Sequence, residues 1–472
     1  MKPLQKLAAE DQSGGDSKRR TGGYTPAPED SSPVSTKQIA SAVALPRGSI
    51  RLFSRQTMSL SLILLTYLLL FFYLKQERLN VDFSCFYASS LNYLQHKNPY
   101  EMLFAFFLKV PSQTAINMNT PFFLWLFSPL TSLKYTTASL LFAISGLLSG
   151  CLACLICLRL TSSRAFFKQY KISWILGYLS LYATLMNSNF NQVAGLLFFL
   201  IMAGYYYYLQ QKDYRAGILW GLAIAIKLFP ALLILYTLKE KRYKTFLILI
   251  GCVLIAMALP AYTHGMEIYQ YYWQRIQTLN WYGNSWNASF YGFLFRLFNP
   301  HTLREIQPIQ QIYWSVFILC LFFYGYLLKP LKQASNHHAR FGFTLIMMLF
   351  LSPLGWMYYF SLLIFPLTYC YQKLSIQGNK SGLFNLCFVL LNWPLINQHM
   401  SFVSSPMLKL TYYSIYFYAL LLLSFLFYTA TTMPDEPWHL HKPLDSANIL
   451  PIKLSLGFGL IIVLLVLING PQ

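Results

Sequence analysis

The chain has 472 residues, of which 56% are apolar, 18% are aromatic and only 11% are charged. Soluble domains carry about 25% charged residues, so this composition excludes an ordinary soluble protein and predicts an all-α polytopic membrane protein. The net charge of +21 does not indicate nucleic-acid binding, because the basic residues lie in an N-terminal tail and in short loops, as in the cytoplasmic loops of membrane proteins.

The first 132 residues divide into a tail, one span and an outer loop. Residues 1–57 are polar and basic, which predicts a disordered cytoplasmic tail, and residues 58–470 are predicted to form a single transmembrane domain. Residues 58–74 form the first predicted span, and the basic tail before it places the next loop outside. Within that first outer loop, residues 75–132, the apolar runs 104–110 and 121–130 are predicted to be amphipathic helices lying on the membrane.

The following segments alternate between the two sides, with one problem of parity. Residues 136–158, 172–186 and 193–209 are predicted spans, with a tight outer turn at residues 187–192. The apolar stretch 216–238 has basic residues at both ends, so we predict two half-helices meeting near Lys227-Leu228-Phe229-Pro230, where proline interrupts the helix. A second outer loop at residues 262–310 and later spans, the last at residues 454–468, bring the total to about 11–13 segments.

The polar residues that are unusual for a membrane protein all map to the outer side of this topology. They are Asp82, the turn 187–192, Lys227, residues 284–296 and residues 356–359. We therefore expect one extracytoplasmic cavity. An acid set among aromatic residues at a membrane surface can deprotonate a hydroxyl held beside the lipid, which makes Asp82 the catalytic candidate. A helix cap at the interface is the simpler alternative for Asp82.

Ten further residues are predicted to bind substrate: Tyr87, Tyr100, Asn189, Gln192, Lys227, Asn287, Arg296, Trp356, Tyr358 and Tyr359. Lys227 and Arg296 would contact phosphate, and the amides and aromatic rings would contact sugar. Structural alternatives stay open: snorkelling or capping of the hairpin for Lys227, an ordinary outer-loop charge for Arg296, turn formation for the amides of residues 187–192, and an interfacial belt for the aromatic residues at 271–286 and 356–359. The few acids do not cluster, so no metal or cofactor is expected.

Several short motifs occur in a specific order along the chain. They are Asp82-Phe83 with Phe86-Tyr87-Ala88, Asn98-Pro99-Tyr100, Pro121 with Ser128-Pro129-Leu130, Asn191-Gln192-Val193, Ala216-Gly217, Gly221-Leu222-Ala223 before Lys227-Leu228-Phe229-Pro230, residues 287–296, and Ser352-Pro353-Leu354-Gly355-Trp356. From about residue 60 to about residue 366 the chain resembles the GT-C glycosyltransferases, most closely glycosyltransferase family 87, whose known members include polyprenol-phosphate-mannose-dependent α-mannosyltransferases. The resemblance implies a GT-C-type helical bundle.

The chain departs from the family pattern at three places. Asn191 stands where the family often has glycine, and Asn119-Thr120-Pro121 stands where it often has a longer Tyr-Pro-Pro run. Tyr358 stands where it often has histidine, which removes a second acid–base or phosphate-contact group and weakens the case for mannose.

The resemblance implies an inverting hexosyltransferase. It would move a mannose-like sugar from a polyprenyl-phosphate donor to a lipid-linked or cell-envelope glycan acceptor, on the extracytoplasmic side of a bacterial inner membrane. Asp82 would be the general base, and Lys227 with Arg296 would hold the phosphate. Membrane lipids are the other expected partners, and nucleic acid is not. Two classes stay open: a transporter or flippase of lipid-linked sugars, and a membrane scaffold that does not need Asp82 and Lys227 near one cavity.

Overall fold

The computed structural model describes residues 58–69, 81–108, 110–279, 281–300, 302–327, 337–375, 381–395 and 405–432, together with the single positions 457 and 461. The predicted tail at residues 1–57 lies outside the described residues, as does nearly all of the last predicted span. The described part is almost entirely helical, with one two-stranded antiparallel ribbon. This confirms the all-α fold class.

The described elements follow the chain in this order: α1 (Met58–Leu69), α2 (Val81–Leu94), β1 (Phe104–Ala105), β2 (Ser112–Gln113), α3 (Pro121–Phe127), α4 (Tyr135–Thr161), α5 (Arg164–Ser180), α6 (Tyr182–Phe190), α7 (Ala194–Leu209), α8 (Asp213–Ile226), α9 (Leu232–Lys239), α10 (Tyr243–His264), α11 (Glu267–Gln277), α12 (Phe290–Phe298), α13 (Leu303–Leu327), α14 (His337–Leu351), α15 (Ile364–Ser375), α16 (Ser381–Leu391), α17 (Pro406–Tyr413) and α18 (Ile415–Thr431). Short 3-10 helices occupy Ser128–Ser132, Phe229–Ala231 and Met357–Leu363.

Three helices of the described part are long and apolar enough to cross a membrane by themselves, namely α4, α10 and α13. Helices α17 and α18 meet at a bend of 57° and become a fourth candidate if they are counted as one broken span. Several other apolar helices, α1 and α7 among them, are shorter. The structure is thus that of a protein embedded in a membrane, while the total of about 11–13 segments stays a prediction.

The stretch from Ala216 to Leu238 is broken where the flanking charges predicted a break. Helix α8 ends before Lys227, a 3-10 turn follows, and α9 runs back. Gly221 lets α8 pack closely on α10, since a Cβ there would come within 2.6 Å of the Cys252 side chain. Beyond α9, Arg242 Nη2 lies 2.6 Å from Asp213 Oδ1, at the start of α8. Both ends of the stretch are therefore on one side, which confirms the two half-helices.

Loops that the charge pattern assigns to the inner side also meet at one end of the bundle. Glu240, after α9, forms a buried ion pair with Arg340 of α14, with 2.6 Å between Glu240 Oε1 and Arg340 Nε. His337 Nδ1 lies 3.3 Å from the same carboxylate. Of the carboxylates that the structure describes, Asp213 and Glu240 are thus held with basic residues, at the end of α8 and α9 away from Lys227.

The two short runs of the first outer loop differ from expectation. The described residues of the run 104–110 do not form a helix: the run begins with strand β1, which pairs with β2 in the register Phe104 with Gln113 and Ala105 with Ser112. Phe104 is exposed and Ala105 is buried, which is the alternation of a strand, not of an amphipathic helix. Residues 121–127 do form a helix, α3, but its side chains are mostly buried in the core instead of lying on a surface.

Candidate active site

The structure places Asp82 in the first turn of α2, with its carboxylate bonded to a distant part of the chain. Asp82 Oδ2 accepts a hydrogen bond of 2.6 Å from Gln192 Nε2. Helix α2 is anchored beside Asp82 by two buried phenylalanines, Phe83 and Phe86, whose rings pack on those of α3 and α4. This packing fixes the backbone of Asp82. The Asp82 side chain is partly accessible to solvent. A short hydrogen bond to a carboxylate is among the stronger kinds in proteins.

The position of Gln192 follows from the turn that precedes it. Helix α6 ends at Asn191, which has the left-handed backbone angles φ 54° and ψ 54° and donates from Nδ2 to the Ser139 carbonyl at 2.8 Å. Asn187 Oδ1 accepts from the backbone N–H of Ala194 at 3.1 Å and closes the turn. Asparagine tolerates left-handed angles better than most residues, so Asn191 can occupy this position of the turn without the glycine that such angles otherwise favour. The predicted turn 187–192 is shorter in the structure, since residues 187–190 are still helical.

Lys227 lies at the break between α8 and the 3-10 turn, with extended angles φ −144° and ψ 135°. Its ammonium donates to the Met118 carbonyl at 3.4 Å, a long bond that leaves most of its hydrogen-bonding capacity free. Asp82 and Lys227 interact electrostatically but form no direct ion pair within 4.0 Å. The predicted acid and the predicted cation are therefore close enough to influence each other without forming a direct ion pair.

The surroundings of Asp82 make its carboxylate a stronger base than usual. Burial raises the pKa of Asp82 from 3.8 to about 6, although the hydrogen bond from Gln192 and the positive charge of Lys227 act in the opposite direction. A general base is most effective when its pKa is near the working pH, so a value of about 6 suits proton abstraction close to neutrality.

Two tyrosines predicted to bind substrate complete this side of the site. Tyr358 and Tyr359 both lie within electrostatic range of the Asp82 carboxylate. The hydroxyl of Tyr359 is buried and has no partner among the described residues, while its ring packs 4.7 Å from Phe229, beside Lys227. The ring of Trp356 stacks on Tyr358 at 5.9 Å. A buried hydroxyl without a partner in the described structure, near the Asp82 carboxylate, is suited to a polar ligand.

One segment next to Lys227 was not among the residues that the sequence predicted for the site. Thr120 donates to the carbonyls of Ala225 and Ile226, directly before Lys227, and its hydroxyl also accepts from the Phe123 N–H to cap α3. Threonine followed by proline is a typical start of a helix, so Thr120-Pro121 could have located α3. No comparable signal in the sequence places this segment against Lys227.

Arg296 and Asn287 belong to a different cluster. Arg296 Nη1 donates to the carbonyls of Asn284 and Asn287, at 2.9 Å each, and its Nε donates to Ser414 Oγ at 2.9 Å. Burial lowers the pKa of Arg296 to about 10. The Asn287 amide is occupied by backbone groups of Tyr282, Pro353, Ser289 and Gly355, so it joins the second outer loop to the loop before Trp356. In the described structure neither side chain contacts Asp82 or Lys227.

The remaining predicted residues, Tyr87, Tyr100 and Asn189, differ in how they are bonded. Tyr87 donates to the Leu133 carbonyl at 2.8 Å and packs against other rings, so its contacts are structural. Tyr100 donates to the Asn119 carbonyl at 3.1 Å, which links it to the segment beside Lys227. Asn189 Oδ1 is buried without a partner among the described residues. No group of three potential metal-ligating side chains comes together in the described part of the chain.

These features define a membrane-embedded helical protein in which the Asp82 carboxylate and the Lys227 cation interact electrostatically. The model of glycosyltransferase family 87 matches residues 117–394, more than half of the 472-residue chain, and the protein therefore belongs to that family of glycosyltransferases. No individually curated protein matches the chain significantly. The family match begins after Asp82, but Gln192 and Lys227, which lie inside it, are the residues that interact with Asp82.

Proposed function

We propose that this glycosyltransferase moves a mannose-like hexose from a polyprenyl-phosphate sugar to a lipid-linked or cell-envelope glycan acceptor, with inversion at the anomeric carbon. The observation that carries the proposal is the electrostatic pairing of one carboxylate, Asp82, held by Gln192, with one cation, Lys227, that forms no direct ion pair within the described residues. Asp82 removes the proton of the acceptor hydroxyl, and the resulting oxygen attacks the anomeric carbon. The bond from that carbon to the phosphate oxygen breaks, and its electron pair leaves with the polyprenyl phosphate.

The single carboxylate supports transfer from an activated donor over hydrolysis of a glycoside. Glycoside hydrolysis needs two carboxyl groups that flank the scissile bond. The other acid described in the first outer loop, Glu101, is exposed and bonded to Asn98. A sugar phosphate already carries a good leaving group, so only positive charge is required on that side. Lys227 supplies this charge, because it lies beside the site without a direct ion pair.

A lipid-linked donor is also supported by a small apolar cleft, open to the surroundings, between helices α4, α5, α15 and α16. Its lining includes Leu181, which directly precedes α6, the helix that carries Asn189. It also includes Ile364, which directly follows the Met357–Leu363 turn, the element that carries Tyr359. We propose that this cleft accepts part of the hydrocarbon chain of the donor. The remaining lining is mostly aromatic and aliphatic, as such a chain requires.

We place the site on the extracytoplasmic side of a bacterial inner membrane, with the N-terminus inside. The support is the distribution of charge along α8 and α9. Basic residues such as Lys212, just before α8, and Arg242, just after α9, lie at the end of these helices opposite Lys227. Loops rich in lysine and arginine stay in the cytoplasm. The topology predicted from the sequence leads to the same orientation.

The test is transfer from radiolabelled polyprenyl-phosphate hexoses to acceptors in a native membrane extract. We expect a labelled product with the wild-type protein and a loss of about 10²- to 10⁴-fold with Asp82→Asn. Glu101→Gln, which removes the exposed acid of the same loop, is the matched control and should keep full activity. Movement of the labelled lipid across vesicle membranes without any product would instead favour a flippase. Full transfer by a folded Asp82→Asn protein would reject the mechanism.

A further inference from the structure

The segment that carries Lys227's hydrogen-bond partner also contains two asparagines that the mechanism does not use. Asn117 and Asn119 are each only 1% exposed. Asn117 Nδ2 and Asn119 Oδ1 are buried and have no hydrogen-bond partner among the described residues. Buried polar atoms in folded proteins are nearly always paired, so two adjacent exceptions need an explanation.

The donor and acceptor roles of these two amides follow from one backbone group. The backbone N–H of Asn119 can only donate, and it donates to Asn117 at 2.9 Å, so the accepting atom must be Asn117 Oδ1. The same oxygen accepts from Asn119 Nδ2 at 2.9 Å. The pair therefore presents a free NH2 group, from Asn117, and a free oxygen, from Asn119.

The location of the pair is fixed by the neighbours of each residue. Met118, between the two asparagines, accepts from the Lys227 ammonium at 3.4 Å, and Thr120 is bonded to the carbonyls before Lys227. On the other side, Tyr100 holds the Asn119 carbonyl at 3.1 Å. The two free amide groups thus lie on the segment 117–120, which contacts the proposed phosphate-binding cation, Lys227, and the residues directly before it.

We propose that Asn117 and Asn119 form a subsite that binds two adjacent hydroxyl groups of the donor sugar. This inference rests on the proposed function, because it supplies the sugar contacts that the mechanism leaves unassigned. Each hydroxyl can both donate and accept, so one accepts from Asn117 and the other donates to Asn119. A phosphate group fits less well, since its oxygens only accept and would meet the free oxygen of Asn119. Lys227 can therefore hold the phosphate while the amides select the sugar.

A site that hydrogen-bonds substrate hydroxyls rejects donors that lack or misplace them, so the expected effect is on sugar preference. The experiment measures kcat/KM for polyprenyl-phosphate mannose, glucose and galactose, and for mannose donors that lack one ring hydroxyl each. We expect Asn117→Ala and Asn119→Ala to lower kcat/KM for the best natural donor by about tenfold or more. With the donor lacking the recognised hydroxyl, the variants should equal the wild type, because the contact is already missing.

The matched control is Thr120→Ala, which disturbs the same segment but leaves both amides in place. It should change kcat/KM for all donors by the same factor. Equal losses of kcat/KM across all donors with the asparagine variants would overturn the subsite and leave the amides a structural role. A change of sugar ranking in Thr120→Ala would overturn it as well. If the wild-type protein neither binds nor uses any of these donors, the proposed function fails and the subsite fails with it. Turnover by the wild type with an unchanged ranking in the asparagine variants removes the subsite alone.

Discussion

Gln192 offers the sharpest test of the catalytic assignment, because it acts on Asp82 without being the base itself. Replacing Gln192 by alanine removes the 2.6 Å hydrogen bond to the Asp82 carboxylate. That bond stabilises the charged form and holds the pKa below the value that burial alone would produce. The Gln192→Ala protein should therefore have an Asp82 pKa above the wild-type value of about 6.

The size of this change follows from the strength of the bond. A hydrogen bond to a charged group contributes about 1.5–3 kcal/mol, and one pH unit corresponds to about 1.4 kcal/mol. Asp82 is partly accessible to water, which will replace some of the lost interaction, so the lower end of that range applies. We expect an upward movement of roughly one pH unit.

The assay is the pH profile of kcat/KM for the sugar donor. The base must be deprotonated to act, so wild-type activity should fall as the pH is lowered through about 6. In Gln192→Ala the same fall should occur at higher pH, and activity well above it should recover toward that of the wild type. Asn191→Gly is the control, because glycine keeps the left-handed backbone and the Gln192 side chain, and removes only the neighbouring bond to Ser139. An acid limb that stays in place, or moves to lower pH, would refute the role of Gln192.

Other predictions address the remaining parts of the proposal. Lys227→Met should lower kcat by about 10²-fold and Lys227→Arg by clearly less, because only positive charge is required at the phosphate; equal losses in single-turnover assays would contradict this. A cysteine placed at Glu101 should react with a membrane-impermeant maleimide in intact cells, and one placed at Lys241 only after permeabilisation; the reverse pattern would invert the topology. Phe388→Trp should raise KM for a long-chain donor more than for a short-chain one, with Phe388→Leu as control, because Phe388 lines the apolar cleft; equal effects on both donors would remove lipid binding from the cleft.

The parts of the fold that depend on charge were predictable from the sequence. The break at Lys227 was predicted because basic residues flank both ends of one apolar stretch, and the Asp213–Arg242 ion pair shows that these ends do meet. The run at residues 104–110 was predicted wrongly, because a short apolar run does not distinguish strand from helix, and the pairing of β1 with β2 is a tertiary choice.

The candidate site was predictable only as far as its residue types. Asp82 and Lys227 are unusual charges for a membrane protein, and that rarity alone made them candidates. Arg296 is equally unusual, yet in the structure it donates hydrogen bonds to the carbonyls of Asn284 and Asn287. No sequence pattern reveals these contacts. Distance between segments far apart in the chain depends on helix packing, and charge patterns indicate only which side of the membrane a residue is on.

The unsatisfied amides of Asn117 and Asn119 show why the most specific part of a site is the hardest to read from a sequence. Both residues lie in a short loop, where asparagine is common for purely local reasons. Their importance comes from a combination of facts: one backbone N–H orients both amides, the free groups are buried, and Thr120 ties the loop to the turn that carries Lys227. Catalysis requires a charge that stands out from its surroundings, whereas sugar selection requires ordinary neutral groups in an exact arrangement. A sequence can therefore indicate the reaction class before it indicates the sugar, and measurements of donor preference test the arrangement directly.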